Sequence, residues 1–305
     1  CFGVGHMGIT AENLATKHSL SRDAQDAFAL ESQNRAVKAI AEGRFKDHIV
    51  PITISSKKGD IVFDTDEHPR ATSLEKLAAM KPAFKKDGSV TAGNASGIND
   101  AGAFLVLGEA AAAAKSGAKP LARVVSYAVA GVPNDIMGEG PIPSTKIALQ
   151  RAGLTLDQID VIESNEAFAA QALTVTKVLG FDPAKVNING GAIALGHPVG
   201  ATGAVIATKC IHELHRSGGR YGLATMCIGV VRALRWCSRG SSFLGSACKP
   251  QRREVCFGER GRWDPFLIFP LVNIIYIMSK MRLTGLQVKT IYTHWLGKAQ
   301  GEQAA

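Results

Sequence analysis

Apolar residues recur at helical spacing near the start of the chain. In SRDAQDAFALESQNRAVKAIAEG, the apolar positions between Ala24 and Ile40 fall mostly three or four residues apart, as on one face of a helix. Ser21 is a suitable N-cap for this helix and Gly43 a suitable C-terminal stop, while Thr10 is a plausible N-cap for a preceding helix. The pattern therefore predicts two helices before residue 44.

Short apolar runs alternate with helical patterns from residue 119 onward. We predict strands in RVVSYAVAG, IDVIESN, VNING and YGLATMCIG. We predict helices in STKIALQRAG, EAFAAQALTVTKVLG and ATGAVIATKCIHELHRSGG. This alternation indicates βαβ units, in which strands are buried between layers of helices. Residues 44–90 are polar instead, and we expect them to run over the surface with two short strands, HIVPITI and DIVFDT.

Charge is distributed unevenly along the chain. The formal net charge of +9 would ordinarily suggest an anionic partner such as nucleic acid. However, residues 231–305 contain 12 basic and 4 acidic residues, so residues 1–230 are almost neutral. The segment 231–305 also contains all three tryptophans and three of the six cysteines. We therefore expect no nucleic-acid binding and interpret 231–305 as foreign to the rest of the chain.

Neither a membrane segment nor a disulfide framework is expected. The apolar run at 265–278 is shorter than the roughly 20 residues that a membrane helix needs. The cysteines lack the regular spacing of disulfide scaffolds or zinc sites, which favours a reducing cytoplasmic location and no metal. The sequence begins Cys1-Phe2-Gly3 without a visible secretory signal, and we expect the chain to be a fragment that has lost its start.

His197 lies at the centre of a glycine-rich loop, GGAIALGHPVGATG, which follows a predicted strand. Imidazole changes charge near neutral pH, so His197 is a candidate general base or oxyanion donor whose ring we expect to have little cover. The alternative is a buried, hydrogen-bonded histidine in a tight turn. The loop lacks the spacing of nucleotide-binding motifs.

Two further loops at predicted strand ends contain reactive or polar residues. Cys227 in MCIG is either an ordinary buried cysteine or a reactive acid or base beside Gly229. Asn165, followed by Glu166, is either a helix N-cap or part of a site. The motif HELH, at residues 212–215, lacks metalloprotease spacing, and we interpret it as a solvated helix face.

Taken together, NEAF, GGAIALGHPVGATG and CIG resemble the thiolase family. The resemblance extends from about residue 6 to residue 229, through HMGITAEN, SRDAQDAFAL, EGRFKDHIVP, KPAFKKDGSVTAGNASGIND and GPIP. It implies an α/β, layered α-β-α-β-α fold with a loop domain that covers coenzyme A. It also implies transfer of acetyl or acyl groups between CoA thioesters through an acyl-cysteine, in which two acetyl-CoA yield acetoacetyl-CoA and CoA. Coenzyme A is then a substrate, and no cofactor is expected.

The resemblance also implies roles for individual residues. His197 would activate the nucleophile and help to bind the thioester oxygen, and Asn165 would hold a water molecule in the same oxyanion hole. Cys227 would be the acid or base for the second substrate, and the Gly229 N–H would belong to a second oxyanion hole. The positions that match the surroundings of the pantetheine arm are His6, Met7, Ser96, Ala167 and Phe168.

The same resemblance divides the chain. Residues 1–99 correspond to part of the CoA-covering loop domain, 100–118 to the last strand and helix of the N-terminal domain, and 119–230 to the C-terminal domain. The family's nucleophile lies upstream of HMG, so we expect it outside this chain, together with most of the N-terminal half-core and much of the region that builds tetramers. A homo-oligomer is expected for the full-length protein.

The segment 231–305 departs from the family pattern. A set of codons compatible with residues 230–240, read two bases later, encodes Gly-Gln-Gly-Val-Ala-Leu-Val-Leu-Glu-Arg, which matches a final thiolase strand. We therefore hypothesise that one base is missing near codon 230 and that 231–305 is out of frame. Without that central strand and half of the core, we expect the chain to be poorly soluble.

Two alternative functions stay open. The chain could be a catalytically inactive thiolase remnant that at most binds CoA or a partner chain. It could also be a hydrolase that uses Cys227 and His197 directly to cleave thioesters.

Overall fold

A computed structural model describes residues 5–228 and 275–280 of the chain. The α-helices are α1 Met7–Lys17, α2 Arg22–Ala41, α3 Leu74–Ala78, α4 Ala110–Lys115, α5 Pro141–Ala152, α6 Ala169–Leu179, α7 Ala192–Leu195 and α8 Thr202–Ser217. The strands are β1 Ile52–Ile54, β2 Ile61–Phe63, β3 Ala122–Ala128, β4 Val161–Ser164, β5 Tyr221–Thr225 and β6 Ile275–Lys280. Short 3₁₀ helices occupy Asn134–Glu139 and Leu156–Gln158.

Four strands form the central sheet, in the order β3-β6-β5-β4. β4 and β5 run parallel, with Val161 opposite Gly222 and Ser164 opposite Thr225. β6 is antiparallel to both of its neighbours. The carboxyl ends of β4 and β5 therefore meet at one edge of the sheet.

Helices cover both faces of the β4–β5 pair. Ile162 and Leu223 pack with residues of α5 and α6 on one face, whereas Val161 and Ala224 pack with residues of α8 on the other. Successive residues of a strand point to opposite faces, so continuous apolar strands are buried on both sides. The layered α/β arrangement expected from the alternating pattern is confirmed.

The predicted strand VNING is wrong. Only Val186 pairs with the sheet, through a single parallel bridge to Ile162. The next residue, Asn187, has a φ of 45°, which lies in the left-handed region and cannot continue an extended strand. The left-handed conformation of Asn187 therefore ends the strand after one residue.

Helix starts follow local capping chemistry. Ser21 accepts a hydrogen bond from the Ala24 N–H at 3.1 Å, which confirms it as the N-cap of α2. The prediction for Thr10 is wrong, because α1 begins three residues earlier. The N-cap of α1 is His6, whose Nδ1 accepts from the Gly8 N–H at 3.1 Å.

The strands predicted within residues 44–90 are present. β1 and β2 pair antiparallel, with Ile52 opposite Phe63. Ile61 and Val62 are 60% and 59% exposed, so this hairpin lies on the surface as expected.

The HELH motif of α8 is not a solvated face. The ring of His212 stacks on that of His48, with centroids 4.7 Å apart. The Nε2–H of His215 donates to the Leu121 carbonyl at 2.9 Å. The prediction is wrong because the segments that follow α2 and precede β3 fold over this part of α8.

Part of the segment 231–305 belongs to the sheet. Residues 275–280 form β6, whose backbone lies between β3 and β5. This is the interior of the sheet, where the sequence led us to expect a missing strand. The remainder of that segment lies outside the described residues, and the reading-frame hypothesis stays a prediction.

Acid is expected to destabilise the fold through His48. This residue is 3% exposed, and burial lowers its pKa from 6.5 to about 4, with neighbouring His212 and Lys209 acting in the same direction. An unfolded histidine titrates near 6.5, so the unfolded state binds more protons as the pH falls through 6.5 towards 4. The free energy of unfolding should drop by about 3 kcal/mol across this window.

Urea unfolding of the wild type and of His48→Gln at several pH values measures this contribution. Glutamine does not titrate, so the free energy of unfolding of the variant should fall less steeply as the pH is lowered, whatever its value at neutral pH. Parallel pH profiles for the two proteins would show that His48 is not the group responsible.

Candidate functional site

The backbone of His197 is fixed by the segment at 97–99. The His197 N–H lies 3.1 Å from Asn99 Oδ1 and 3.3 Å from the Gly97 carbonyl oxygen. The preceding Gly196 has a φ of 97°, and a Cβ there would overlap the Asn99 side chain. Glycine is therefore required at this position both for its conformation and for the close approach of Asn99.

The ring of His197 has a polar partner at each nitrogen. Nδ1 lies 2.7 Å from Thr202 Oγ1, and Nε2 lies 3.4 Å from Asn165 Nδ2. An amide nitrogen only donates, so Nε2 is the acceptor and the proton of the neutral ring sits on Nδ1. Nδ1–H then donates to Thr202 Oγ1, whose own hydrogen is directed to the Pro198 carbonyl at 2.8 Å. This network leaves Nε2 unprotonated, with its lone pair facing the Asn165 amide.

His197 is half-buried, so the expectation of little cover is wrong. Burial lowers its pKa below the usual 6.5. The ring is therefore neutral at neutral pH, as a general base must be before it accepts a proton.

Asn165 is not a helix N-cap. α6 begins at Ala169 with Phe168 at the N-cap, four residues after the end of β4. Asn165 is 1% exposed, and its N–H donates to the Thr225 carbonyl at 2.9 Å. Its side-chain Oδ1 is buried without a protein partner, which is the condition under which a polar atom holds a water molecule.

Cys227 follows β5 and is buried in an apolar cluster with Met137 and Phe168. Burial raises the pKa of its thiol to about 12, so the thiol keeps its proton at neutral pH. A hydrolase that used Cys227 as its nucleophile would need the opposite shift, so the structure argues against that alternative. Gly229, the proposed donor of a second oxyanion hole, lies outside the described residues.

Contacts link the residues assigned to the pantetheine arm. Ser96 donates through both its N–H and its hydroxyl to the Ala167 carbonyl, at 3.1 and 3.0 Å. The ring of His6 stacks on Phe84 at 4.7 Å, and Phe84 meets Phe168 edge-on at 6.0 Å. Met7, which follows His6, is 44% exposed.

Sequence reasoning missed two side chains of this region. Phe84 links His6 to Phe168, and Met137 packs against the cluster of Cys227. Phe84 lies in an irregular segment and Met137 in the short 3₁₀ helix Asn134–Glu139, so periodicity gives no signal for either residue. Phe84 lies inside the motif KPAFKKDGSVTAGNASGIND, and Met137 lies three residues before the motif GPIP.

A cavity of about 440 Å³ lies beside the His197 loop, lined by residues 98–104 and 198–201. Ile98 is 92% exposed and Phe104 65% exposed at this cavity. Within the described ranges, no group of three or more acidic, histidine or cysteine side chains could hold a metal ion. No helix in that part of the chain is long and apolar enough to cross a membrane.

Two family models match the chain. Residues 2–111 match the thiolase N-terminal domain, and residues 118–237 match the thiolase C-terminal domain.

Curated relatives and solved structures agree with these matches. The chain is 59% identical over 226 residues to beta-ketothiolase BktB of Cupriavidus necator, which covers 73% of this chain and 57% of the relative. It is 57% identical over 226 residues to an acetyl-CoA acetyltransferase of Pseudomonas aeruginosa, and the match covers 73% of this chain and 58% of the relative. The chain therefore spans less than two thirds of the length of these relatives.

Similar structures include the acetyl-CoA acetyltransferase of Bacillus anthracis, with a TM-score of 0.75 and 42% identity over 92% of this chain and 61% of that one. Human mitochondrial 3-ketoacyl-CoA thiolase has a TM-score of 0.72 and 38% identity, over 90% of this chain and 60% of that one.

Cys227 should resist alkylation in the folded protein. With a pKa of about 12, only about one thiol in ten thousand is ionised at about pH 8, and the thiolate is the reactive form. Iodoacetamide treatment followed by peptide mapping should leave the Cys227 peptide unmodified in buffer and modified in urea. Labelling of Cys227 at equal rates in both conditions would contradict a buried, protonated thiol at this position.

Proposed function

The chain belongs to the thiolase family, and we propose that it takes part in acyl transfer between coenzyme A thioesters. Acetyl-CoA and acetoacetyl-CoA are the expected reactants, because several relatives are named acetyl-CoA acetyltransferases. The observation that supports this most directly is the 3.4 Å approach of Asn165 Nδ2 to His197 Nε2, at the edge of the sheet where β4 and β5 both end.

His197 suits the activation of a thiol nucleophile. Its Nε2 lone pair, which in this structure accepts the long 3.4 Å contact from Asn165 Nδ2, can instead accept the proton of the thiol as the sulfur attacks the thioester carbonyl. The resulting imidazolium then donates from Nε2 to the oxyanion that forms on the carbonyl oxygen. A water molecule held by Asn165 supplies the second donor.

Cys227 suits proton transfer at the second substrate. At neutral pH its thiol holds a proton that it can give to a departing enolate or CoA thiolate. In the condensation direction the Cys227 thiol first gives its proton to the CoA thiolate that leaves the first acetyl-CoA, and the Cys227 thiolate formed in this way then removes a proton from the α-carbon of the second acetyl-CoA. The backbone N–H of Gly229 is proposed as a donor to the enolate oxygen.

A second candidate is CoA binding without turnover. In the part of the chain that the structure describes, the free cysteines are Cys210 and Cys227. Both are buried, and burial raises the pKa of each thiol. Since the thiolate is the nucleophilic form, neither cysteine is an activated nucleophile. The acyl-cysteine of the proposed reaction must therefore come from outside the described residues, as the resemblance to thiolases already implies. A cytoplasmic location is part of the same proposal.

Thiolysis of acetoacetyl-CoA by CoA, followed through the loss of enolate absorbance, tests the catalytic proposal. His197→Ala and Cys227→Ser should each reduce kcat at least about 100-fold, because each removes a proton-transfer group. Cys210→Ser is the matched control, since Cys210 is equally buried but lies in α8, where it packs with Val161 and Ala224 of the sheet and outside the cluster of Cys227. It should keep the wild-type kcat.

Equilibrium dialysis with CoA separates the two candidates. Binding without thiolysis, weakened by Phe84→Ala, would support the non-catalytic function. Absence of both binding and thiolysis would contradict both candidates.

A further inference from the structure

Glu166 is a buried carboxylate immediately after Asn165, with no role in the reaction proposed above. It is 2% exposed. Its Oε2 accepts from the Ser32 hydroxyl at 2.7 Å and from the Ile193 N–H at 3.2 Å, and its Oε1 accepts from Asn187 Nδ2 at 2.8 Å. Burial raises the pKa of Glu166, and the three donors oppose this shift by favouring the ionised form. Since every contact is a donor, the surroundings fit a carboxylate that only accepts.

One side of this cluster is the segment that leads to His197. Ile193 lies in the first turn of α7, which ends two residues before His197. The Gly191 N–H, just before α7, donates to the Ser32 hydroxyl at 3.1 Å. A Cβ at Gly191 would overlap the Glu166 carboxyl group, so glycine permits this contact.

The other side of the cluster is the end of β4. Asn187 pairs with Ser164 twice, accepting from its N–H at 2.9 Å and donating to its carbonyl at 2.8 Å. The remaining hydrogen of Asn187 Nδ2 is directed to Glu166. Asn187 is therefore fixed by the strand that also positions Asn165.

We propose that Glu166 is a positioning residue, which sets the distance between the Asn165 amide and the His197 ring by joining the end of β4 to α7. Asn165 and Glu166 are consecutive, so the backbone that carries the amide also carries the carboxylate. Only Gly196 separates His197 from Leu195, the last residue of α7. This inference rests on the oxyanion role proposed for Asn165 and His197.

Glu166→Gln tests the proposal with almost no change in shape. The introduced amide nitrogen must face either Asn187 Nδ2 or the Ile193 N–H. Neither donor can turn away, because Asn187 is held by both backbone groups of Ser164 and the Ile193 N–H belongs to α7. One of the two contacts is therefore lost in either orientation.

Two NMR measurements on the whole chain test the effect of this variant, and neither requires catalytic turnover. The 3.4 Å contact predicts a cross-relaxation peak between the Asn165 side-chain amide and the His197 ring in the wild type, and this peak should disappear in Glu166→Gln. Exchange of the Ile193 amide hydrogen should accelerate about tenfold, the effect of losing one buried hydrogen bond.

Glu163→Gln is the matched control on the same strand. Glu163 is 1% exposed and accepts from Lys209 Nζ at 2.8 Å, a bond that an amide oxygen can also accept. This variant removes a buried negative charge and should lower stability, yet it should keep the Asn165–His197 peak. Loss of that peak in both variants would overturn the proposal, because general destabilisation would then explain it.

Ser32→Ala keeps the proposal testable if Glu166→Gln does not fold. It preserves the charge, removes one donor to Glu166 and leaves the Gly191 N–H without its acceptor, so the peak should weaken and Gly191 should exchange faster. An unchanged peak and unchanged exchange in every folded variant would overturn the proposal. If the wild type shows no thiolysis but Glu166→Gln still loses the peak, the positioning role stands and the proposed function fails.

In a preparation that is active in thiolysis, Glu166→Gln should lower kcat and leave the KM for CoA unchanged. The Glu166 side chain is hydrogen-bonded to Ser32, Asn187 and Ile193, and none of these is assigned to the pantetheine arm. A rise in KM alone would contradict positioning of the oxyanion site.

Discussion

The parallel pairing of β4 and β5 is the constraint on which the site depends. Parallel strands place their carboxyl ends at the same edge, and the pairing of Ser164 with Thr225 fixes how these ends align. Asn165 follows directly on one strand and Cys227 two residues beyond the other. A shift of register by one residue would turn the shifted strand over with respect to the helical layers. The burial of β4 and β5 on both faces therefore also fixes the chemistry at their ends.

Burial moves the two proposed proton-transfer groups towards their uncharged forms. It lowers the pKa of His197 and raises that of Cys227, although one is a base and the other an acid. Removal from water disfavours whichever form is charged, so the two shifts have opposite directions and one physical origin. In the proposed reaction, charge appears on these side chains only when a proton moves. A resting site with neutral groups also suits a thioester, which is itself uncharged at the reacting carbon.

The sequence predicts those features that depend on neighbouring residues. Ser21 caps α2 because its hydroxyl reaches an N–H three residues away, and the repeats of α5, α6 and α8 are visible in the chain itself. Thr10 is an equally good cap by composition, but His6 starts the helix earlier. VNING has the composition of a strand and fails as one, because Asn187 adopts a left-handed conformation while its side chain pairs with Ser164. Such contacts join residues more than twenty positions apart, and no local pattern contains them.

The difference between local patterns and distant contacts also explains why the three motif loops could be recognised from the sequence. The side-chain contacts that hold these loops together could not. Glycines in GGAIALGHPVGATG indicate close packing, but the sequence does not say which group approaches each one. At Gly196 the group is the Asn99 side chain, and at Gly191 it is the Glu166 carboxylate. These two glycines thus mark positions where a polar side chain from a distant segment occupies the place of the missing Cβ. The loop that holds His197 is consequently shaped from outside by Asn99 and Glu166, which is why a residue beside the proposed oxyanion site can control its geometry without contacting substrate.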